Sequence, residues 1–266
     1  MRHAPLTLAS VALLLAAATA YAVKPQVWNH TTEKDFSAGT FDNTVVDSYG
    51  QLTLGRQLNP ITMDATADVI PGFAQLPDGT VLAATNGDSR ILRITDHKTQ
   101  LLFTAPKDFP DITALATDSQ GHLLVAVSGD EAELLQVSAD PKTPPTPPTV
   151  LFHDQAVTTI WAIARGADGD LYLGTGPKGT VYKLDAAHQA STVLQTKAKN
   201  IVALAFDPHG NLLAGTDGNG LVIRVDKQTH KPFVLFDAGK ADINALVPDD
   251  HGNLYVATAA ISPEDA

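Results

Sequence analysis

Five glycines, Gly79, Gly121, Gly169, Gly210 and Gly252, recur at intervals of 42, 48, 41 and 42 residues with the same surroundings each time. The segments IPGFAQLPDGTVLAAT, ITALATDSQGHLLVAV, IWAIARGADGDLYLGT, IVALAFDPHGNLLAGT and INALVPDDHGNLYVAT align on them without a gap. Nine residues before each glycine stands an isoleucine: Ile70, Ile112, Ile160, Ile201 and Ile243. Seven before it stands a small residue: Gly72, Ala114, Ala162, Ala203 and Ala245. Self-similarity at this period means that one supersecondary unit is stacked repeatedly, and it restricts the fold more than any other property of the chain.

Each aligned segment reads as two strands around a Gly-containing turn. A third strand follows as ILRI, LLQV, VYKL and VIRV, and a fourth as TQLLFT, TVLFHD, STVLQT and PFVLFDA. Four short strands per 40 to 45 residues are the signature of a propeller blade. No window of comparable length carries a helical apolar period with caps, so a βαβ arrangement has no support. The expected fold is an all-β propeller of four-stranded antiparallel blades, four complete and a fifth partial. The units run at about 67–108, 109–156, 157–197, 198–239 and 240–266.

Both faces of the first strand are apolar, as expected for a blade covered by a neighbour on each side, and the small residues fall where blades converge. Asp118, Asp207 and Asp249 each stand three residues before a glycine. Aspartate bonds turn backbone and glycine tolerates positive φ, so these are read as hairpin chemistry and His122, His209 and His251 as turn residues. The 48-residue interval is explained by PKTPPTPPT, from Pro141, inserted between the third and fourth strands of the second unit.

Ahead of the repeat, Arg2 precedes the charge-free run Leu6 to Ala18, and Ala20-Tyr21-Ala22 supplies the small residues that signal peptidase accepts. Residues 1–22 are therefore expected to be a cleavable signal peptide and the mature chain to be periplasmic or extracellular. The run is short for a membrane span and no other stretch approaches one. Residues 23–66 form an N-terminal segment containing FDNTVVDSYGQLTLG, from Phe41, which reads as a β-hairpin. The fifth unit stops after its second strand, leaving the tail ISPEDA. Either that hairpin supplies the two missing strands or the chain is a piece of a larger propeller, and the featureless tail favours the second. There is no cysteine, so stability rests on packing, and the formal charge of −11 offers no electrostatic footprint for nucleic acid.

The units GDLYLGTGPKGTVYKLD, from Gly169, and GNLLAGTDGNGLVIRVD, from Gly210, resemble repeats of bacterial exported propeller proteins. That group overlaps the NHL, two-component-regulator and quinoprotein-like families, and the likeness covers most of the mature chain. It implies architecture and leaves function open, because one propeller fold hosts enzymes, receptors and scaffolds. Gly-His and Trp-Asp pairs of WD repeats are missing, and Trp161 is the only tryptophan within the repeats, so no quinone is expected. The Gly-rich turns lack the following helix and lysine of a phosphate loop, so no nucleotide is expected either.

Antiparallel order places the starts of the first strands and the turns between second and third strands at one end. Ten residues before each glycine the positions there read Val69, Asp111, Thr159, Asn200 and Asp242, with Trp161 and Asn244 two residues further along their strands. The candidate ligand-binding set at this mouth is Asp111, Trp161, Asn200, Asp242 and Asn244. Oxygen donors of this kind suit calcium or magnesium, with Asp111, Asn200 and Asp242 as the candidate ligands. Propeller hydrolases of the gluconolactonase kind resemble this in using Glu, Asn and Asp around a metal, although no glutamate occupies an equivalent position here. The alternative is that these residues bond loop backbone. The turns from Asn86, Ser128, Gly176 and Asp217 ring the same end and suit a rim for a protein, glycan or small ligand. With no cysteine and no G-x-S-x-G elbow, nucleophilic catalysis has little support. The leading expectation is a non-enzymatic exported propeller, and the alternative is a metal-dependent hydrolase or lyase.

Overall fold

Two hydrophobic faces per strand and a glycine hairpin every forty-odd residues give a succession of small sheets. A computed structural model of the chain describes residues 44–46, 51–55, 60–63, 67–96, 98–118, 120–139, 147–239 and 241–259. It divides into two units, Met1–Leu58 and Asn59–Ala266. The signal-peptide reading, the tail ISPEDA and most of the proline-rich insertion lie outside the described residues. In the first unit β1 (Thr44–Val46) pairs antiparallel with β2 (Leu52–Leu54), which is the expected hairpin.

The second unit holds four four-stranded antiparallel sheets and one two-stranded sheet. The first blade comprises β3 (Val69–Gln75), β4 (Val81–Asn86), β5 (Arg90–Thr95) and β6 (Lys98–Thr104), and the second β7 (Asp111–Thr117), β8 (Leu123–Ser128), β9 (Ala132–Val137) and β10 (Thr149–His153). The third comprises β11 (Thr159–Arg165), β12 (Leu171–Gly176), β13 (Thr180–Leu184) and β14 (Ala190–Gln195). The fourth comprises β15 (Ile201–Phe206), β16 (Leu212–Thr216), β17 (Leu221–Val225) and β18 (Pro232–Asp237). Among the described residues β19 (Asp242–Pro248) and β20 (Leu254–Ala259) represent the fifth, as the sequence leads one to expect. Each blade runs in chain order from its first strand outward, and the first strands β3, β7, β11, β15 and β19 pack side by side in succession. The row of sheets is not closed. Among the described residues β1 and β2 pair with each other and β19 with β20.

The core is four layers, one between each pair of successive blades. Ile112, Ile160, Ile201 and Ile243 are fully buried, each against the preceding blade. Complete burial of such a side chain is worth about 1.5–3 kcal/mol. Ile70, in the first of the described blades, is 40% exposed. The residue that receives each isoleucine must be small: Ala84, Ala126, Gly174 and Gly215 occupy that position in successive second strands. A Cβ on Gly215 would stand 2.6 Å from Ile243 Cγ2 and 3.2 Å from the Ala203 Cβ.

The hairpin glycines behave as their spacing implies. Gly79, Gly121, Gly169, Gly210 and Gly252 all have φ between 81° and 90°, a region that side chains disfavour. Asp207 Oδ1 accepts the N–H of His209 at 2.9 Å and of Asn211 at 2.8 Å, and Asp249 repeats the pattern with His251 and Asn253. The D-x-x-G aspartates are thus turn residues.

Candidate functional site

Every first strand carries a register shift at the same place. Between Ile112 and Ala114, Ile160 and Ala162, Ile201 and Ala203, and Ile243 and Ala245 one residue is left over, namely Thr113, Trp161, Val202 and Asn244. In β3 the shift lies between Val69 and Gly72. A bulge re-aims the extra side chain out of the ordinary alternation. Trp161 and Asn244, singled out in the sequence, are both bulge residues, and the two are exposed.

At this end each junction between blades is joined by a hydrogen bond. Ile112 N–H donates to Asn86 Oδ1 at 2.9 Å across the first junction, and Thr113 Oγ1 donates to the Ile160 carbonyl at 2.7 Å across the second. Trp161 Nε1 donates to Asn200 Oδ1 at 3.1 Å across the third. Gly218 N–H donates to Asp242 Oδ1 at 2.6 Å across the fourth. Within the fourth blade Asp217 grips Asn200 twice, accepting its backbone N–H at 2.8 Å and its Nδ2 at 2.6 Å. Each such bond is worth about 0.5–1.5 kcal/mol net, more where a carboxylate accepts.

The candidate residues therefore fall into two groups. Trp161, Asn200 and Asp242 take part in the junctions between blades, with both ends of the Asn200 amide engaged. Asp111, opposite Ser128 at the start of β7, and Asn244 stand exposed. Asp111, Asn200 and Asp242 sit at the starts of three different first strands, and Oδ1 of Asn200 and Oδ1 of Asp242 each already accept an N–H donor. Among the described residues no three or more His, Cys, Asp or Glu side chains are grouped so as to hold a metal ion.

The sequence pattern alone did not single out five contributors. Gly176 is required by the Trp161–Asn200 contact: a Cβ there would overlap Asn200 Oδ1 and stand 3.2 Å from Trp161 Nε1. Asp217, seen only as part of a turn, holds Asn200 in place. Thr85, Thr175 and Thr216 are buried at the ends of second strands and clamp the rim turns. Thr175 Oγ1 donates to the Thr180 carbonyl at 2.9 Å, and Thr216 Oγ1 accepts the Leu221 N–H at 3.0 Å. The recurrence of threonine as the last residue of four aligned segments was the signal for these.

No family model matches the chain, and no curated protein matches it in sequence. Solved structures do. A streptogramin B lyase is 15% identical with a TM-score of 0.60, the match covering 78% of this chain and 74% of that one. A nidogen/laminin complex is 17% identical with a TM-score of 0.58, covering 72% and 73%. A putative gluconolactonase is 16% identical with a TM-score of 0.56, covering 75% and 77%. At these identities the likeness is one of fold, and with the repeat, the blades and the layered core it makes this chain a repeat protein of the β-propeller type.

Proposed function

We propose that the chain is an exported, non-enzymatic propeller that uses the end bearing Asp111, Trp161, Asn200, Asp242 and Asn244 to bind a protein, glycan or small ligand. The observation that carries this reading is Trp161. Its side chain is 41% exposed while its indole N–H is anchored to Asn200, so an aromatic surface is held at the bulge with little rotamer freedom left to lose. Anchored aromatics of this kind supply much of the binding energy at recognition sites. Of the acids nearby, Asp242 is engaged across a blade junction and Asp217 within its own blade, which favours a binding role over catalysis. Similar structures include enzymes and a protein complex, so the fold agrees with either use.

In a Trp28→Phe background Trp161 is the sole tryptophan, and its fluorescence reports directly on the mouth. A ligand that shifts this emission, and whose affinity falls at least tenfold with Trp161→Ala, is the expected outcome. Calcium or magnesium titrated into chelator-treated protein is expected to give no binding heat. Metal-dependent lactone or ester hydrolysis abolished by Asp111→Ala or Asp242→Ala would overturn the reading and establish the hydrolase alternative.

A further inference from the structure

The opposite end of the blades, where first strands turn into second ones, carries two clefts. One, of about 460 Å3, lies between the second and third blades, and the other, of about 390 Å3, between the third and fourth. They are built from the same repeat positions. Leu124 and Leu171 contribute to the floor of the first, and Tyr172 and Leu212 take their places in the second. Gln136 is replaced by Lys183 on one wall and His188 by His230 on the other. Both histidines are exposed and sit in the turn between third and fourth strands at φ of 58° and 56°.

Several of the charges around these clefts are spent within the protein, while Lys227 adds a further cation to the second. Asp118 Oδ2 binds His122 Nδ1 at 2.7 Å and accepts Gln136 Nε2 at 2.9 Å. Lys183 Nζ lies 2.5 Å from Asp170 Oδ2 and 3.5 Å from Asp168 Oδ2, and 5.7 Å from the centroid of the Tyr172 ring. What remains is a floor of nearly buried leucines in the first cleft and of half-buried Tyr172, Val193 and Phe206 in the second, under a rim of imidazoles, amide and carboxylates that both donate and accept. A polyanion would meet those carboxylates, and an apolar ligand would bury them without compensation. A pyranose ring matches both parts, with an apolar C–H face for the floor and hydroxyls that donate and accept for the rim. Each volume falls within the range of small-ligand sites.

We infer that the two clefts bind successive units of one neutral oligosaccharide. Repeat-equivalent sites on adjacent blades suit a ligand that itself repeats, and a chain long enough to occupy both gains affinity by linkage without any new kind of contact. This inference is independent of the mouth reading, because the two sites lie at opposite ends of the blades.

The full chain is screened on an array of neutral and acidic glycans, and neutral hits are titrated calorimetrically as a length series from two to eight units. Affinity is expected to rise at least tenfold at the length that first spans both clefts. His188→Gly and His230→Gly remove the imidazoles and relieve the positive φ, so thermal stability should hold or rise. Each should weaken binding about fivefold, and the pair about 25-fold. Three outcomes would overturn the inference: binding of no neutral glycan, binding of only acidic glycans, or binding unchanged in the double variant. Loss of binding in Trp161→Ala with the double variant unaffected would place the sugar at the mouth, sinking this inference and supporting the other.

Discussion

At the residue scale, one carboxylate organises a whole hairpin. Asp118 Oδ1 accepts the N–H groups of Gln120 and His122, both at 2.8 Å, while Oδ2 takes the His122 ring and the Gln136 amide. Burial pushes its pKa up, but the hydrogen bonds from His122, Gln120 and Gln136 outweigh it, and the carboxyl titrates below its ordinary 3.8. Asp249 is lowered in the same way, chiefly by the Asn253 side chain, and Asp226 by the backbone and hydroxyl of Thr229. A pKa depressed by folding contributes stability that is fully present above the unfolded value and disappears as pH falls through the folded one. The thermal midpoint should therefore be flat from pH 7 to pH 5 and fall steeply below about pH 4. Asp118→Asn should cost about 1–2 kcal/mol at pH 7 and shallow the acid fall, both measurable by calorimetric scans across pH. A variant whose midpoint declines in parallel with the parent would show that Asp118 carries none of that dependence.

At the element scale, a single repeat position meets five surroundings. Truncating Ile112, Ile160 or Ile201 to alanine empties a layer between blades and should cost about 2–5 kcal/mol, whereas Ile70→Ala, at a half-exposed site, should cost under about 1 kcal/mol. Gly215→Ala tests the other side of the same contact: its Cβ meets Ile243 too closely, so urea midpoints should fall although alanine suits a strand better than glycine. If Ile70→Ala and Ile160→Ala proved equally costly, the layers would not be what holds the blades together. The sequence made this periodicity legible because strand pairing and small-residue contacts recur in every unit. It did not reveal the bulges, since a one-residue register shift leaves no compositional trace. It brought Trp161 and Asn200 to one end but could not join them, because their contact depends on how one blade sits on the next. Nor could it separate PFVLFDA from TVLFHD. The patterns agree, yet Leu151 and Phe152 of the second blade are 6% and 5% exposed, while Leu235 and Phe236, at the same positions in the fourth, are 41% and 48% exposed. The difference is the neighbour: β19 and β20 cover the inner strands of the fourth blade and leave β18 bare.

At the scale of the whole row, the described residues of the first and last blades of the second unit present two unlike apolar faces. Val69, Ile70 and Phe73 are exposed on the first blade, and Val247 and Tyr255 on the last, with Phe233 and Phe236 of β18 beside it. At the positions matching Ile70 and Phe236, Ile112, Ile160, Ile201, Ile243 and Phe152 are buried by a neighbouring blade, so these two residues mark the kind of face to which a blade docks elsewhere in the row. A contact between the first blade of one copy and the last of another joins two different surfaces, and such heterologous association continues until the rotation closes or the assembly grows without limit. For a chain of these 266 residues by itself, concentration-dependent, polydisperse growth is therefore the expected behaviour in light scattering, with an apolar dye bound by the native chain. A Phe73→Lys substitution removes one end from the contact and, at a side chain 60% exposed, should leave the thermal midpoint within about 1 °C. Phe236→Ser removes the other end. Either change alone should halt growth, because each copy then keeps only one of the two complementary faces. A discrete dimer that survives both substitutions would instead require a self-complementary surface elsewhere on the blades.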